Sequence, residues 1–380
     1  MCGEKYDCMN GQTFIFGKPV EGEYFTDREA EARRLAANFE GGVSTFLLSP
    51  RRWGKTSLIK KVMKQVQSDE LKVVFVDVFK CKSPIEFAET VASAVLSQTA
   101  SKTEEFMENA KSFLGRINLG VNISPDPVSV FDVKLGLSDD KLDISNALNM
   151  PEQIAVKKGV KLLVCIDEFQ QIGEFSDTIS FQKQLRTIWQ HQSNVTYCLF
   201  GSKKHMMENL FDTPDKAFFK FGDIIYLKTI PLNYWVEFIS RKFSAAGKTI
   251  TDKQIERICE TVKYHSSYVQ QLCWYVYLSS SEIVADDDIN AGVEELVCQN
   301  TSLFESWTEN LAAYQMRLLM AIADGIHDGL SSAEVIAKYR LASSANVVAV
   351  KKSLLDKNLI YAEDKKLYLT DPVMGMWLKR

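Results

Sequence analysis

Between residues 43 and 228 the chain alternates short apolar runs with longer stretches of helical spacing. Five runs predict strands: VSTFLL (43–48), KVVFVDVF (72–79), VKLLVCI (160–166), VTYCLF (195–200) and DIIYL (223–227). They are near-continuous blocks of Val, Ile, Leu and Phe rather than strict alternations. Such blocks mark strands covered on both faces, as in a parallel sheet, and the helical segments between them supply right-handed crossovers. One stretch breaks this rhythm. Residues 116–138, RINLGVNISPDPVSVFDVKLGLS, alternate in polarity and turn at Pro125-Asp126-Pro127, which predicts an inserted hairpin.

After Pro231 the strand signal vanishes. NYWVEFISRKFSAAG (233–247) is apolar at helical spacing and stops at Gly247, a residue suited to a C-terminal cap. Segments 251–262 and 267–281 continue the helical series, and ADDDI (285–289) opens another helix. From about residue 306 three helical segments lead to LIYAEDKKLYLT (359–370), two short strands around an Asp-Lys-Lys turn. The pattern divides the chain into an α/β core over 1–230, a helical lid over 231–305 and a winged helix-turn-helix outline over 306–380.

Composition narrows the class. At 380 residues the chain exceeds one ordinary core, and 46% hydrophobic with 25% charged residues is typical of soluble globular domains. A net charge of −4 argues against a chain built to coat nucleic acid or an anionic membrane. No run approaches the roughly 20 apolar residues of a membrane span, and the N-terminus lacks the apolar core of a signal peptide. The eight cysteines form no C-x-x-C pair and no zinc spacing; Cys165 and Cys198 read as small core residues. These features predict a cytoplasmic protein without a membrane partner.

The chemistry concentrates at two strand ends. LLSPRRWGKTSL lies between the first strand and a helix, where backbone N–H groups and the helix dipole converge on an anion. It follows the phosphate-loop pattern G-x-x-x-x-G-K-[ST], with Ser49 in place of the first glycine. Ser49, Pro50, Arg51, Arg52, Trp53, Gly54, Lys55, Thr56 and Ser57 would line the phosphates: Gly54 allows close approach, Lys55 reaches the β- and γ-phosphates, and Thr56 ligates Mg²⁺. Arg51 and Arg52 either bind phosphate, touch a neighbouring subunit or stay solvated. KLLVCIDEFQQI (161–172) then ends a strand in Asp167-Glu168, the Walker B form, with Asp167 for the metal and Glu168 to polarise water. The two elements in this order predict ATP with Mg²⁺, since neither the guanine-reading N-K-x-D nor an L-S-G-G-Q signature is present. Ser202, after the fourth strand, fits either a γ-phosphate sensor or a helix N-cap.

Together with FTDREAEARRL (25–35), FGSKKHMMENLF, YHSSYVQQLCW and the closing LYLTDPVMGMWL (367–378), these motifs make the chain resemble the archaeal-type ATPase branch of the STAND class of P-loop ATPases, relatives of AAA+ and origin-recognition ATPases. The resemblance implies a P-loop NTPase parallel sheet of the AAA+/ASCE type, a helical lid and a C-terminal winged helix-turn-helix. It implies an ATP-hydrolysing switch in which Lys55 and Thr56 carry phosphate and magnesium, Asp167 holds the metal, Glu168 is the base and Ser202 the sensor. Phe25 and Arg28 would lie near the adenine, unless FTDRE instead starts a helix capped by Thr26 or Asp27. The family's lid motif Gly-x-Pro reads Tyr264-His265-Ser266 here, so His265 either faces the phosphates or is an ordinary histidine.

The winged helix leaves two partners open. A DNA reader would turn Ser344, Asn346 and Lys351 toward a groove. Yet residues 306–380 hold ten Lys and Arg against eight Asp and Glu, little charge for phosphate contacts. Docking to protein or within the chain is the other expectation, self-association among the outcomes. The switch is the preferred reading; an initiator-like, ATP-dependent DNA-binding protein is the alternative.

Overall fold

The computed structural model describes residues 13–99, 119–123, 131–135 and 141–380. The chain forms two compact units: residues 28–51 with 55–228, and residues 229–380 with the segment up to 27 and the loop tip 52–54.

The first unit is an α/β layer structure. It runs α1 (Glu29–Glu40), β1 (Thr45–Leu48), α2 (Lys55–Val66), β2 (Leu71–Asp77), α3 (Pro84–Thr99), β3 (Leu119–Ile123), β4 (Phe131–Leu135), α4 (Lys141–Lys158), β5 (Lys161–Asp167), α5 (Thr178–Trp189), β6 (Val195–Gly201), α6 (Lys204–Glu208) and β7 (Asp223–Tyr226). Five strands pair in the order β2-β5-β6-β1-β7, all parallel. The apolar runs do become strands: β1 and β6 are buried throughout and β2 and β5 largely so, while the edge strand β7 buries only Ile225. Val43 and Phe79, expected at strand termini, are exposed, and the strands stop short of both.

Phe46 and Leu48 of β1 face a core that includes Val74, Leu162, Phe169 and Phe218. In that core Trp189 stacks on Tyr197 at 4.0 Å and lies 6.0 Å from the Phe169 ring, while Phe87 meets Phe181 edge-on at 5.5 Å. The inserted hairpin is present as the antiparallel pair β3–β4, centred on Val121 opposite Val133. Its expected turn, Pro125-Asp126-Pro127, lies outside the described residues.

The strand order brings the site together. β1, β5 and β6 are neighbours or next neighbours and parallel, so the segments leaving their C-terminal ends emerge along one edge. That edge is where open α/β sheets place their ligands.

The second unit continues with α7 (Leu232–Ala245), α8 (Asp252–Thr261), α9 (Ser266–Ser279), α10 (Asp286–Thr308), α11 (Ala313–Ala323), α12 (Ala333–Tyr339), α13 (Ser344–Asp356), the antiparallel hairpin β8 (Ile360–Glu363) and β9 (Lys366–Leu369), and α14 (Pro372–Trp377). Gly247 ends α7 as its residue type predicts, with φ 72° and the Lys248 N–H returning to the Phe243 carbonyl at 2.9 Å. A reciprocal capping box between Thr251 and Gln254 starts α8. One apolar core joins Trp235, Tyr268 and Leu272 to Leu318, Leu354 and Ile360. The expected border near residue 306 falls inside α10, which no Pro or Gly interrupts there. Among the described residues no helix is long and apolar enough to cross a membrane.

Candidate functional site

The loop after β1 turns inward before it turns up into α2. Ser49 is buried, Pro50 half-buried, and Arg51 and Arg52 exposed. Arg52 and Gly54 both have left-handed backbone, φ 63° and 90°; any side chain at 54 would be strained whatever the space around it. Lys55 is buried as the first residue of α2. Its Nζ donates to the Ser49 carbonyl at 2.9 Å, the Ser49 hydroxyl at 3.1 Å and the Pro50 carbonyl at 2.9 Å. Ser49, the departure from the glycine pattern, therefore serves as a ligand of the loop's own lysine. Burial pushes the Lys55 ammonium down to about 8, against the pull of Asp167 and Glu168; nearby Arg51 pushes the same way as burial.

The carboxylates at the end of β5 complete the cluster. Thr56 Oγ1 donates to Asp167 Oδ2 at 3.0 Å, and the Glu168 N–H donates to Asp167 Oδ1 at 2.8 Å. Burial first, and the adjacent Glu168 charge second, push the Asp167 carboxyl up to about 6, with the Thr56 hydrogen bond opposing. Glu168 has φ 55°, a left-handed residue at the strand end. Its Oε2 accepts from Ser202 Oγ at 2.9 Å and from Gln170 Nε2. Of the two readings of Ser202, the hydroxyl is spent on Glu168. Ser57 is buried and Trp53 half-buried.

Ser49, Lys55, Thr56, Asp167, Glu168 and Ser202 thus converge. Three more of the expected residues are placed as follows. Arg28 is buried, and its Nη1 donates to the Lys228 carbonyl at 2.5 Å and pairs with Glu31 at 3.3 Å. Neither Thr26 nor Asp27 caps α1: the helix starts from Arg28 at φ 75° without a side-chain cap. Phe25 is half-buried at the end of a 3₁₀ turn, Gly22–Tyr24. His265 is buried at the N-terminus of α9, its ring 4.6 Å from that of Tyr268. The chain turns into α9 through two consecutive left-handed residues, Lys263 and Tyr264, the second of them at the expected glycine position.

Two groups escaped sequence reasoning. Gln170, two residues after Glu168, belongs to no pattern that the sequence offers. Tyr268 is the other: its hydroxyl donates to Asp371, whose carboxylate also caps α14 through the N–H groups of Val373 at 2.9 Å and Met374 at 3.2 Å. Burial pushes both groups up, and the Arg52 guanidinium beside them opposes it only in part. In α13, Ser344 is exposed and Lys351 half-buried, while Asn346 turns its side-chain carbonyl inward rather than toward a groove.

Residues 25–214 match a family described as an ATPase domain predominantly from Archaea. The chain belongs to that family. Its ATPase domain is followed, over residues 302–380, by a match to a family described as a probable winged helix domain. Among solved structures, a Walker-type ATPase of Pyrococcus abyssi is similar at 17% identity and TM-score 0.68, covering 97% of this chain and 100% of that one. The ORC2 protein of Aeropyrum pernix, in ADPNP-ADP complexes, is similar at 14% identity and TM-score 0.56, covering 92% and 91%. Its ADP form gives 13% and 0.55, covering 97% and 98%. At such identities the likeness is one of fold, a P-loop NTPase sheet with a C-terminal winged helix on the ATPase domain. No curated protein matches the chain significantly.

Proposed function

We propose that this member of the archaeal ATPase family is a STAND-type molecular switch that binds ATP with Mg²⁺ and hydrolyses it. Its parts are an ATPase core over 1–230, a helical lid over 231–305 and a winged helix-turn-helix over 306–380. The observation that carries the reading is the 3.0 Å contact of Thr56 Oγ1 with Asp167 Oδ2, which joins the phosphate loop to the strand-end carboxylate beside a buried lysine.

The donor set fits magnesium. Hydroxyl and carboxylate oxygens are the hard ligands Mg²⁺ takes, and its sites use one or two protein carboxylates completed by phosphates and water. Asp167 crowded against Glu168 is also a charge pattern that a divalent cation relieves. Thr56 and Asp167 would hold the ion, which when bound neutralises charge building on the β- and γ-phosphates. Lys55 would exchange its loop oxygens for phosphate oxygens, and the backbone N–H groups between Ser49 and Ser57 would cradle the rest. Glu168 would take the proton of the attacking water, with Ser202 placed to turn from Glu168 to the γ-phosphate.

Phosphate release with and without Mg²⁺ tests this. Lys55→Ala should lose nucleotide binding and turnover, and Glu168→Gln should keep binding and lose turnover. If both variants match wild type in both measurements, the site assignment is wrong.

The winged-helix match supports a second reading, an initiator-like ATPase that binds duplex DNA. Against it, the exposed residues of α13 include Ala345, Val348 and Ala349, with Lys352 the cation among them. That face suits protein docking better than a phosphodiester backbone. Duplex affinity that falls steeply with salt would favour DNA; nucleotide-dependent self-association without duplex binding would favour the switch.

A further inference from the structure

Gln170 is 3% exposed, and nothing in the phosphate-loop or Walker B patterns asks for it. Its Nε2 donates to Glu168 Oε2, while its Oε1 is buried with no hydrogen-bond partner. Burying an acceptor without a donor is unfavourable, so a side chain held this way is held for its other end. The place of that carboxamide is fixed by Gly201, the last residue of β6. A Cβ built there would stand 1.7 Å from Gln170 Oε1 and 2.9 Å from its Cδ. Gly201 does not adopt a left-handed backbone, so it is required for space and not for conformational freedom. The glycine ends the strand immediately before Ser202, whose hydroxyl meets the same Oε2 at 2.9 Å.

We infer that Gln170 is a positioning residue for ATP hydrolysis: seated in the space left by Gly201, its amide grips Oε2 of Glu168 and leaves the other oxygen of Glu168 to face the attacking water. The inference rests on the reading of Glu168 as the base. A neutral donor suits the task, because a lysine or arginine would neutralise the base it orients. With Ser202 also on Oε2, the carboxylate is held by two donors. When Ser202 turns to the γ-phosphate, Gln170 keeps the orientation.

The test is single-turnover ATP hydrolysis and MgATP affinity for Gln170→Met, Gly201→Ala, the double variant and Glu168→Gln, each checked for an unchanged melting temperature. Methionine keeps the length and packing of Gln170 but cannot donate. Gln170→Met should lower the hydrolysis rate about 10- to 100-fold with MgATP affinity and KM unchanged. Gly201→Ala, by evicting the amide, should cost the same. The double variant should be no slower than either single one, because both remove one interaction. Wild-type turnover in Gln170→Met, or losses that multiply in the double variant, would overturn the inference; Gln170→Met decides alone if the alanine at 201 unfolds the protein. Glu168→Gln separates the two levels. If it is inactive while Gln170→Met is unimpaired, only the Gln170 assignment fails. If it hydrolyses like wild type, or wild type leaves ATP intact, the base assignment falls and this inference with it.

Discussion

Asp167 and Asp371 are both partly buried aspartates, and burial pushes both carboxyls up. Their surroundings differ. Asp371 accepts from the Tyr268 hydroxyl and two N–H groups of α14, with the Arg52 guanidinium close by. Its negative charge is met on every side, and its work is to cap a helix and tie it to α9. Asp167 accepts one hydroxyl and one N–H, and a second carboxylate stands next to it in sequence and in space. A carboxylate left short of donors and beside its own kind suits a cation; one whose lone pairs are used suits a fold.

The largest separation between the two should come from Asp167→Asn. It should lower Mg²⁺-dependent turnover about 10²-fold or more, while the melting temperature stays level or rises because a crowded charge is removed. A matched calorimetric and phosphate-release series checks both halves. A clear loss of stability would place Asp167 with Asp371 as a structural group.

A pH titration should come next in size. With its carboxyl raised to about 6, Asp167 takes up a proton as pH falls through that value. Mg²⁺-dependent nucleotide affinity should therefore be level from about pH 6 to about 8, where Lys55 begins to lose its charge, and fall about tenfold per unit below pH 6. The sign for stability is the reverse of a salt-bridged acid. Between about pH 4 and 6 the folded protein holds a proton the unfolded chain has released, so this group's contribution weakens as pH rises. Isothermal titration at fixed free Mg²⁺ reads the first effect.

The smallest effect is expected at the other aspartate. Asp371→Ala removes a cap and leaves the Tyr268 hydroxyl without its acceptor, a loss of about 1–2 kcal/mol seen as a lower denaturant midpoint. Thermodynamic loss with unaltered MgATP affinity would keep the two carboxylates in separate roles. Altered affinity at wild-type stability would merge them.

Most of the frame was readable in the chain itself. Near-continuous apolar runs became parallel strands, most of them covered on both faces, while Lys55 and Thr56 open α2 and Asp167 ends β5 with Glu168 next to it. What escaped depends on contacts that periodicity does not encode. Arg28 finds its acceptor 200 residues away, and Tyr268 finds Asp371 at a separation of 103. The place of Gln170, in the 3₁₀ turn after β5, depends on a glycine at the end of β6. Ser49 shows the opposite case: a departure from pattern visible at once, whose sense needed the Lys55 hydrogen bonds.

Phe169, lodged between Glu168 and Gln170 in sequence, points its ring into the core within 6.0 Å of the Trp189 ring. Indole emission depends on the polarity and motion of its immediate shell. Trp189 is therefore an intrinsic optical probe packed against the residue that follows the candidate base, and a shift of that backbone should register in its fluorescence without any added dye.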